Sequence, residues 1–201
     1  MKVYKLQICM LIILCIFFTG CSSKAPSILK TDKQEKKKWA ENIAVLPVEN
    51  KTKDNIAPGL LRSKLLEELY FKGYPKLSLE TIDQKLESLN IIDRKGNSGV
   101  IAPQILKDLV GADAVMYCTL IESNKPIGFV YAPVTIYLRC EMRRAESGEV
   151  IWKGQYKSTS RNFDFTRKGL EMKSCKAYES VIEEVINKIM ENLPYGPNLQ
   201  G

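Results

Sequence analysis

The sequence predicts one α/β (α+β) domain: a mixed sheet with two parallel strand-helix units first, then a three-stranded antiparallel meander and a C-terminal helix. Three observations predict it. A short apolar run, Ile43 to Val48, lacks a helical period and precedes a segment in which Ala57, Leu61, Leu65 and Leu69 recur at helical spacing. Two later stretches alternate strictly, one through Ala114, Met116, Cys118 and Leu120, the other through Val134, Ile136, Leu138, Cys140 and Met142. Finally, Tyr178, Ile182, Val185, Ile189 and Leu193 share one helical face.

Taken in order, Ile43 to Val48 reads as a strand buried on both faces, with Pro47 near its end. Asp54 or Asn55 caps the helix that follows, Pro58 is tolerated in its first turn, and Gly73 ends it. Lys76 to Leu79 reads as a brief second strand, and Ile82, Leu86 and Leu89 as a shorter amphipathic helix. Strand, helix, strand implies a parallel crossover. Ile91 to Gly99 is loop, and Pro103 opens a helix whose Ile105, Leu106, Leu109 and Val110 face inward until Gly111 stops it. The two alternating strands are joined through Asn124 to Ala132. Glu146 to Glu149 then turns into a third strand, Val150 to Tyr156, and the last helix packs on the sheet.

The first 20 residues read as a removable leader. Lys2 and Lys5 precede an apolar stretch from Leu6 to Phe18, broken only by Gln7 and shorter than the roughly 20 residues a spanning helix needs. Small residues Thr19 and Gly20 then precede Cys21, whose thiol can carry a thioether-linked lipid. Phe18-Thr19-Gly20-Cys21 resembles the bacterial lipobox, departing from it at Phe18, where Leu is usual. The resemblance implies lipid attachment at Cys21 and, with Ser22 after it, an outer-membrane, periplasm-facing address.

Loss of Lys2 and Lys5 leaves 28 basic residues of the 30 against 23 acidic, a net +5. The excess sits largely in residues 21–41, where Lys24, Lys30, Lys33, Lys36, Lys37 and Lys38 meet only Asp32, Glu35 and Glu41. With few large apolar residues this stretch reads as a tether. Its lysines either keep it solvated or draw it to anionic headgroups. The remaining 42–193 is nearly neutral, so it carries no nucleic-acid footprint, and 194–201 reads as a flexible tail.

The chain contains no histidine, which excludes Ser-His-Asp and Cys-His nucleophilic systems and every histidine-bearing metal site. It contains no Gly-x-Gly and no P-loop, so no nucleotide cradle is expected. We therefore expect no cofactor, metal, small-molecule substrate or catalytic residue. Glu67-Glu68 and Glu183-Glu184 read as solvated charge on outer helix faces, although paired carboxylates leave a peptidoglycan-acting hydrolase as the alternative. With Cys21 lipidated, Cys118, Cys140 and Cys175 remain; Cys118 and Cys140 share a facing on adjacent strands, so register decides between a disulfide and two small buried thiols. Two aromatic clusters are candidate contact surfaces. Phe129 and Tyr131 in the apolar connection Lys125 to Pro133 either pack on the sheet or meet a partner, and Phe163-Asp164-Phe165 carries the same two readings.

Ile43-Ala44-Val45-Leu46-Pro47-Val48-Glu49-Asn50, Gly111-Ala112-Asp113-Ala114-Val115-Met116-Tyr117 and Ser147-Gly148-Glu149-Val150-Ile151-Trp152-Lys153-Gly154 together resemble a bacterial lipoprotein family of unknown function typified by a neisserial vaccine-candidate antigen. More distantly, their layout over 42–193 is similar to the TolB amino-terminal domain, the CsgG secretion lipoprotein and the LpoB-type activators of peptidoglycan synthases. The resemblance carries no catalytic residue. It implies a non-enzymatic, lipid-anchored envelope protein that binds a protein partner and assists transport or envelope assembly.

Overall fold

The structure, a computed structural model, describes residues 39–88 and 101–199. Within them lie β1 (Ile43–Val45), β2 (Glu49–Asn50), α1 (Ala57–Phe71), α2 (Leu79–Ser88), α3 (Pro103–Val110), β3 (Ala114–Asn124), β4 (Tyr131–Arg144), β5 (Val150–Phe163), α4 (Arg167–Met190) and a short 3-10 turn (Pro197–Leu199). The sheet order is β1-β3-β4-β5, with β2 also on β3. Both short strands run parallel to β3, and β3, β4 and β5 are antiparallel. The mixed α/β sheet with its meander and C-terminal helix is thus as expected.

The expected strand over Ile43 to Val48 divides in two. Pro47 has no N–H to give the ladder, so pairing stops after the Leu46 amide reaches the Met116 carbonyl at 3.1 Å and resumes at Glu49. In α1 the Asp54 carboxylate accepts from the Ile56 and Ala57 amides at 2.9 and 3.1 Å, satisfying donors that no helical carbonyl can reach. Ala57, Leu61, Leu65 and Leu69 form its buried stripe, each leucine worth about 2 kcal/mol when removed from water. Gly73, at φ 88°, takes the left-handed position after the helix end.

Lys76 to Leu79 is not a strand. Ser78 Oγ accepts from the Thr81 amide at 3.2 Å and its carbonyl accepts from Ile82, so these residues form the entrance to α2. The parallel neighbour of β1 is therefore β3, reached only after α1, α2 and α3. In α3, Leu106 is buried but Ile105 is exposed, because a helix this short turns only one narrow face inward. Leu89 and the Ile91 to Gly99 loop lie outside the described residues.

One face of the sheet packs under α1 and α4 around Met116, Leu120, Ile136, Leu138, Val185 and Ile186. The other is covered near β1 and β3 by α2 and α3, where Ile82, Leu86 and Leu106 meet Ala44, Leu46 and Val115. Cys118 and Cys140 stand opposite each other on β3 and β4 and form a disulfide. Residues 194–199, expected as a flexible tail, fold back onto the end of α1. The Gly196 amide reaches the Lys72 carbonyl at 2.7 Å and Asn198 reaches Gly73 at 3.1 Å. Gly196 lies so close that a Cβ there would stand 2.6 Å from the Gly73 backbone. Trp39, read as tether, donates to the Tyr74 hydroxyl at 2.5 Å.

Candidate functional site

The alternating strands bring the two aromatic clusters together. Tyr131 opens β4 and Phe163 closes β5 in the same register pair, and their rings meet at a 35° tilt with centroids 4.8 Å apart. Residues 125–130 connect β3 to β4 beside them; the Gly128 amide bonds the Tyr131 carbonyl at 2.9 Å, and the Asp164 amide bonds Val130 at 3.2 Å. Phe129 and Phe165 stand at the tips of the two loops, 94% and 96% exposed. Beside Phe165 a cleft of about 270 Å³ is lined by Val130, Phe163, Asp164, Phe165 and Lys173. Of the two candidates, Phe129 faces solvent, whereas half-buried Tyr131 supports the Phe163 ring. The sequence offered Phe165 only as an ambiguous cluster, because nothing local shows that residue 131 pairs with 163.

The loop before α4 is held by charge and backbone. The Asp164 carboxylate accepts from the Thr166 amide and hydroxyl, both at 2.9 Å, and pairs with Lys173 at 3.0 Å. The Thr166 amide, then Lys173 and the Thr166 hydroxyl, hold this carboxyl down at about 2. Thr166 caps α4 by accepting from Gly169 at 3.1 Å, and Lys173 donates to the Phe163 carbonyl at 2.7 Å.

A second polar cluster braces the base of the 125–130 loop. Asp54, its side chain 8% exposed, accepts from Tyr178 Oη at 2.5 Å and Ser123 Oγ at 2.7 Å besides the two α1 amides. Lys125 Nζ lies 4.0 Å from the carboxylate and 4.2 Å from the Tyr178 ring centroid. Burial pushes the Asp54 carboxyl up, but the donated hydrogen bonds outweigh it and bring it to about 2. Burial, then the neighbouring Asp54, push the Tyr178 phenol above its ordinary value. At neutral pH Asp54 is therefore an anion with its lone pairs occupied and Tyr178 is a fixed donor. A general base needs a pKa near the working pH and a free lone pair; this pair offers a clasp joining α1, the end of β3 and α4.

Three of the four carboxylates weighed for hydrolysis, Glu67, Glu183 and Glu184, are likewise engaged. Lys64 bridges Glu67 at 3.3 Å and Glu183 at 3.2 Å, and Glu184 accepts from Ser158 Oγ at 2.7 Å. Among the described residues no group of His, Cys, Asp or Glu is arranged to hold a metal ion. Cys21 lies outside the described residues.

The two ends of the sheet differ. Asp113, just before β3, accepts from the Glu41 and Asn42 amides at 3.2 and 2.9 Å, so the chain enters the domain there. The aromatic loops lie past Asn124, the far end of β3, roughly 34 Å away at a strand's usual rise.

A family model for GNA1162-like lipoproteins matches residues 32–194. The structure of lipoprotein GNA1162 from Neisseria meningitidis is similar to this one with a TM-score of 0.55 and 17% identity, over 70% of this chain and 96% of that one. The PelC dodecamer from Paraburkholderia phytofirmans gives 0.47 and 16%, over 75% and 84%. The LpoB C-terminal domain from Escherichia coli gives 0.43 and 20%, over 59% and 83%. No curated protein sequence matches. At these identities the likeness to GNA1162 shows the shared fold.

Proposed function

Because this chain belongs to the GNA1162-like lipoprotein family, we propose that it is a non-enzymatic, lipid-anchored envelope protein that docks a protein partner through the aromatic end of its sheet. Cys21 is the lipid attachment point, residues 1–20 the leader and residues 21–41 the tether. The anchored domain faces the periplasm from the outer membrane and assists transport or envelope assembly. One observation carries the docking reading: Phe129 and Phe165 are almost wholly exposed at the tips of adjacent loops whose backbones are hydrogen-bonded in place. Aromatic side chains at the centre of an interface supply much of its binding energy, and loops whose backbones are held this way lose little backbone freedom on docking. The position supports the same reading. Residues 41 and 42 enter the domain beside Asp113 at the opposite end of the sheet, so the aromatic loops lie at the end remote from that entry.

The test is a photo-crosslinking side chain placed at position 129 or 165 in intact cells, with exposed Glu80 as control. Both loop positions should trap the same partner and the control none. Traces identical at all three positions would sink the reading. Cys21→Ala should abolish labelling by palmitate.

A further inference from the structure

β5 is the last strand of the sheet, and its fourteen residues leave one whole edge without a neighbour among the described residues. Alternate residues of such a strand aim N–H and C=O groups outward, ready to pair with another chain. Between Ile151 and Asn162 no backbone group of β5 is given to a loop or to a side chain of the described residues. On the sheet face away from α4, β5 carries Lys153, Lys157 and Arg161 at four-residue intervals, all exposed, spaced about 13 Å apart. Lys157 holds Glu122 at 2.5 Å, while Lys153, opposite Glu141 in register, and Arg161 make no ion pair within 4 Å among the described residues.

The ground beside Lys153 is shaped for anions. Arg139, Glu141, Lys153, Gly154 and Gln155 line a depression of about 480 Å³. Arg143 occupies Glu141 Oε1 at 2.5 and 2.7 Å and balances its charge, and Gln155 Oε1 accepts from Tyr137 and Arg139, both at 3.3 Å. With that carboxylate balanced, Arg139 and Lys153 are two cations in excess, and the terminal nitrogens of Arg139, the Lys153 ammonium and the Gln155 amide N–H groups are donors open to a ligand.

We propose that the β5 edge takes an extended acidic segment of a partner protein as an added strand, its carboxylates lying over Lys153, Arg139 and Arg161. Only a polypeptide can use both features, the open ladder and the row of cations at strand spacing. The same cations oppose a second copy of this chain. If two β5 strands paired antiparallel about Lys157, Lys153 would face Arg161 and Lys157 would face itself. Moving the centre two residues either way sets Lys157 against Lys153 or Arg161. The proposal rests on the protein-docking reading but uses a different surface, so crosslinking at Phe129 and the measurement below fail independently.

The full chain in detergent is titrated with a labelled short peptide alternating Glu and Thr, followed by fluorescence anisotropy and by amide exchange across Ile151 to Asn162. The peptide should bind and slow exchange at alternate β5 amides. Charge reversal by Arg161→Glu together with Lys153→Gln, both exposed and neither setting a like charge opposite Glu141, should weaken binding roughly tenfold. N-methylation of alternate peptide amides should abolish it. Absence of binding, insensitivity to charge reversal, insensitivity to N-methylation, or sedimentation showing copies of the chain paired through β5 would each overturn the proposal.

Discussion

Replacing Asp54 by Asn tests the clasp that organises one end of the domain. The wild-type carboxyl sits at about 2, against 3.8 without the fold, and the side chain is nearly buried. A folded-state pKa below the unfolded value adds stability that is present above the unfolded pKa and is lost as pH falls through the folded one. The difference amounts to about 2 kcal/mol at pH 7, about half of that near pH 3, and little by pH 2. Asn keeps an oxygen for the Ile56 and Ala57 amides but carries no charge, so it imitates protonated Asp54 at every pH. Urea unfolding of both proteins across this range should show a deficit of about 2 kcal/mol at neutrality that closes as the pH falls. Other carboxylates cancel in the difference. A deficit that is the same at pH 7 and pH 2.5, or no deficit at neutrality, would refute the electrostatic account.

Three further outcomes follow from packing and covalent structure. A Cβ at Gly154 would stand 2.8 Å from the Trp152 ring and 2.9 Å from Ile189; Gly154→Ala should therefore cost about 1–3 kcal/mol by overpacking, and an unchanged urea midpoint would contradict it. Arg62 is buried and donates to the Val45 carbonyl at 3.0 and 3.1 Å and to Asp83 at 2.7 Å, so Arg62→Met strands both acceptors at a cost of about 2 kcal/mol in thermal or urea unfolding. Reducing the Cys118–Cys140 bridge, which spans 22 residues, should cost roughly 3 kcal/mol. Thiol titration of denatured, unreduced protein finding Cys118 and Cys140 free would dispose of that last expectation.

What the sequence made legible follows from the reach of each signal. The α1 stripe and the alternations in β3 and β4 were readable because each element buries one face and repeats its period several times. Lys76 to Leu79 misled because so few residues cannot distinguish a strand from a helix entrance, and the decisive group is the Ser78 hydroxyl. β5 was expected to end at Tyr156 but continues to Phe163, since from Lys157 to Asn162 its residues are polar on both faces and what sustains it is the ladder with β4 and the Ser158–Glu184 hydrogen bond to α4. The Asp54–Tyr178 hydrogen bond joins residues 124 positions apart. No local pattern could announce it. The same holds for the meeting of the Phe129 and Phe165 loops, which follows from the pairing of Tyr131 with Phe163.

The clasp and the aromatic loops are connected, and that connection makes the docking reading sharper than exposure alone would. Asp54 holds Ser123 at the end of β3 and, through Tyr178 and the carboxylate, receives Lys125 at the root of the 125–130 loop. The loop that carries Phe165 is fastened separately, by Asp164, Thr166 and Lys173. Asp54→Asn should consequently loosen the Phe129 loop and leave the Phe165 loop in place. In cells, crosslinking from position 129 should fall while crosslinking from 165 persists at a comparable level of folded protein. If both positions lost the partner together, global destabilisation would explain the result; if neither did, the clasp would have no part in presenting Phe129. Selective loss would show that a buried carboxylate far from any chemistry sets the geometry of the binding surface by fixing where β3 ends and α1 begins.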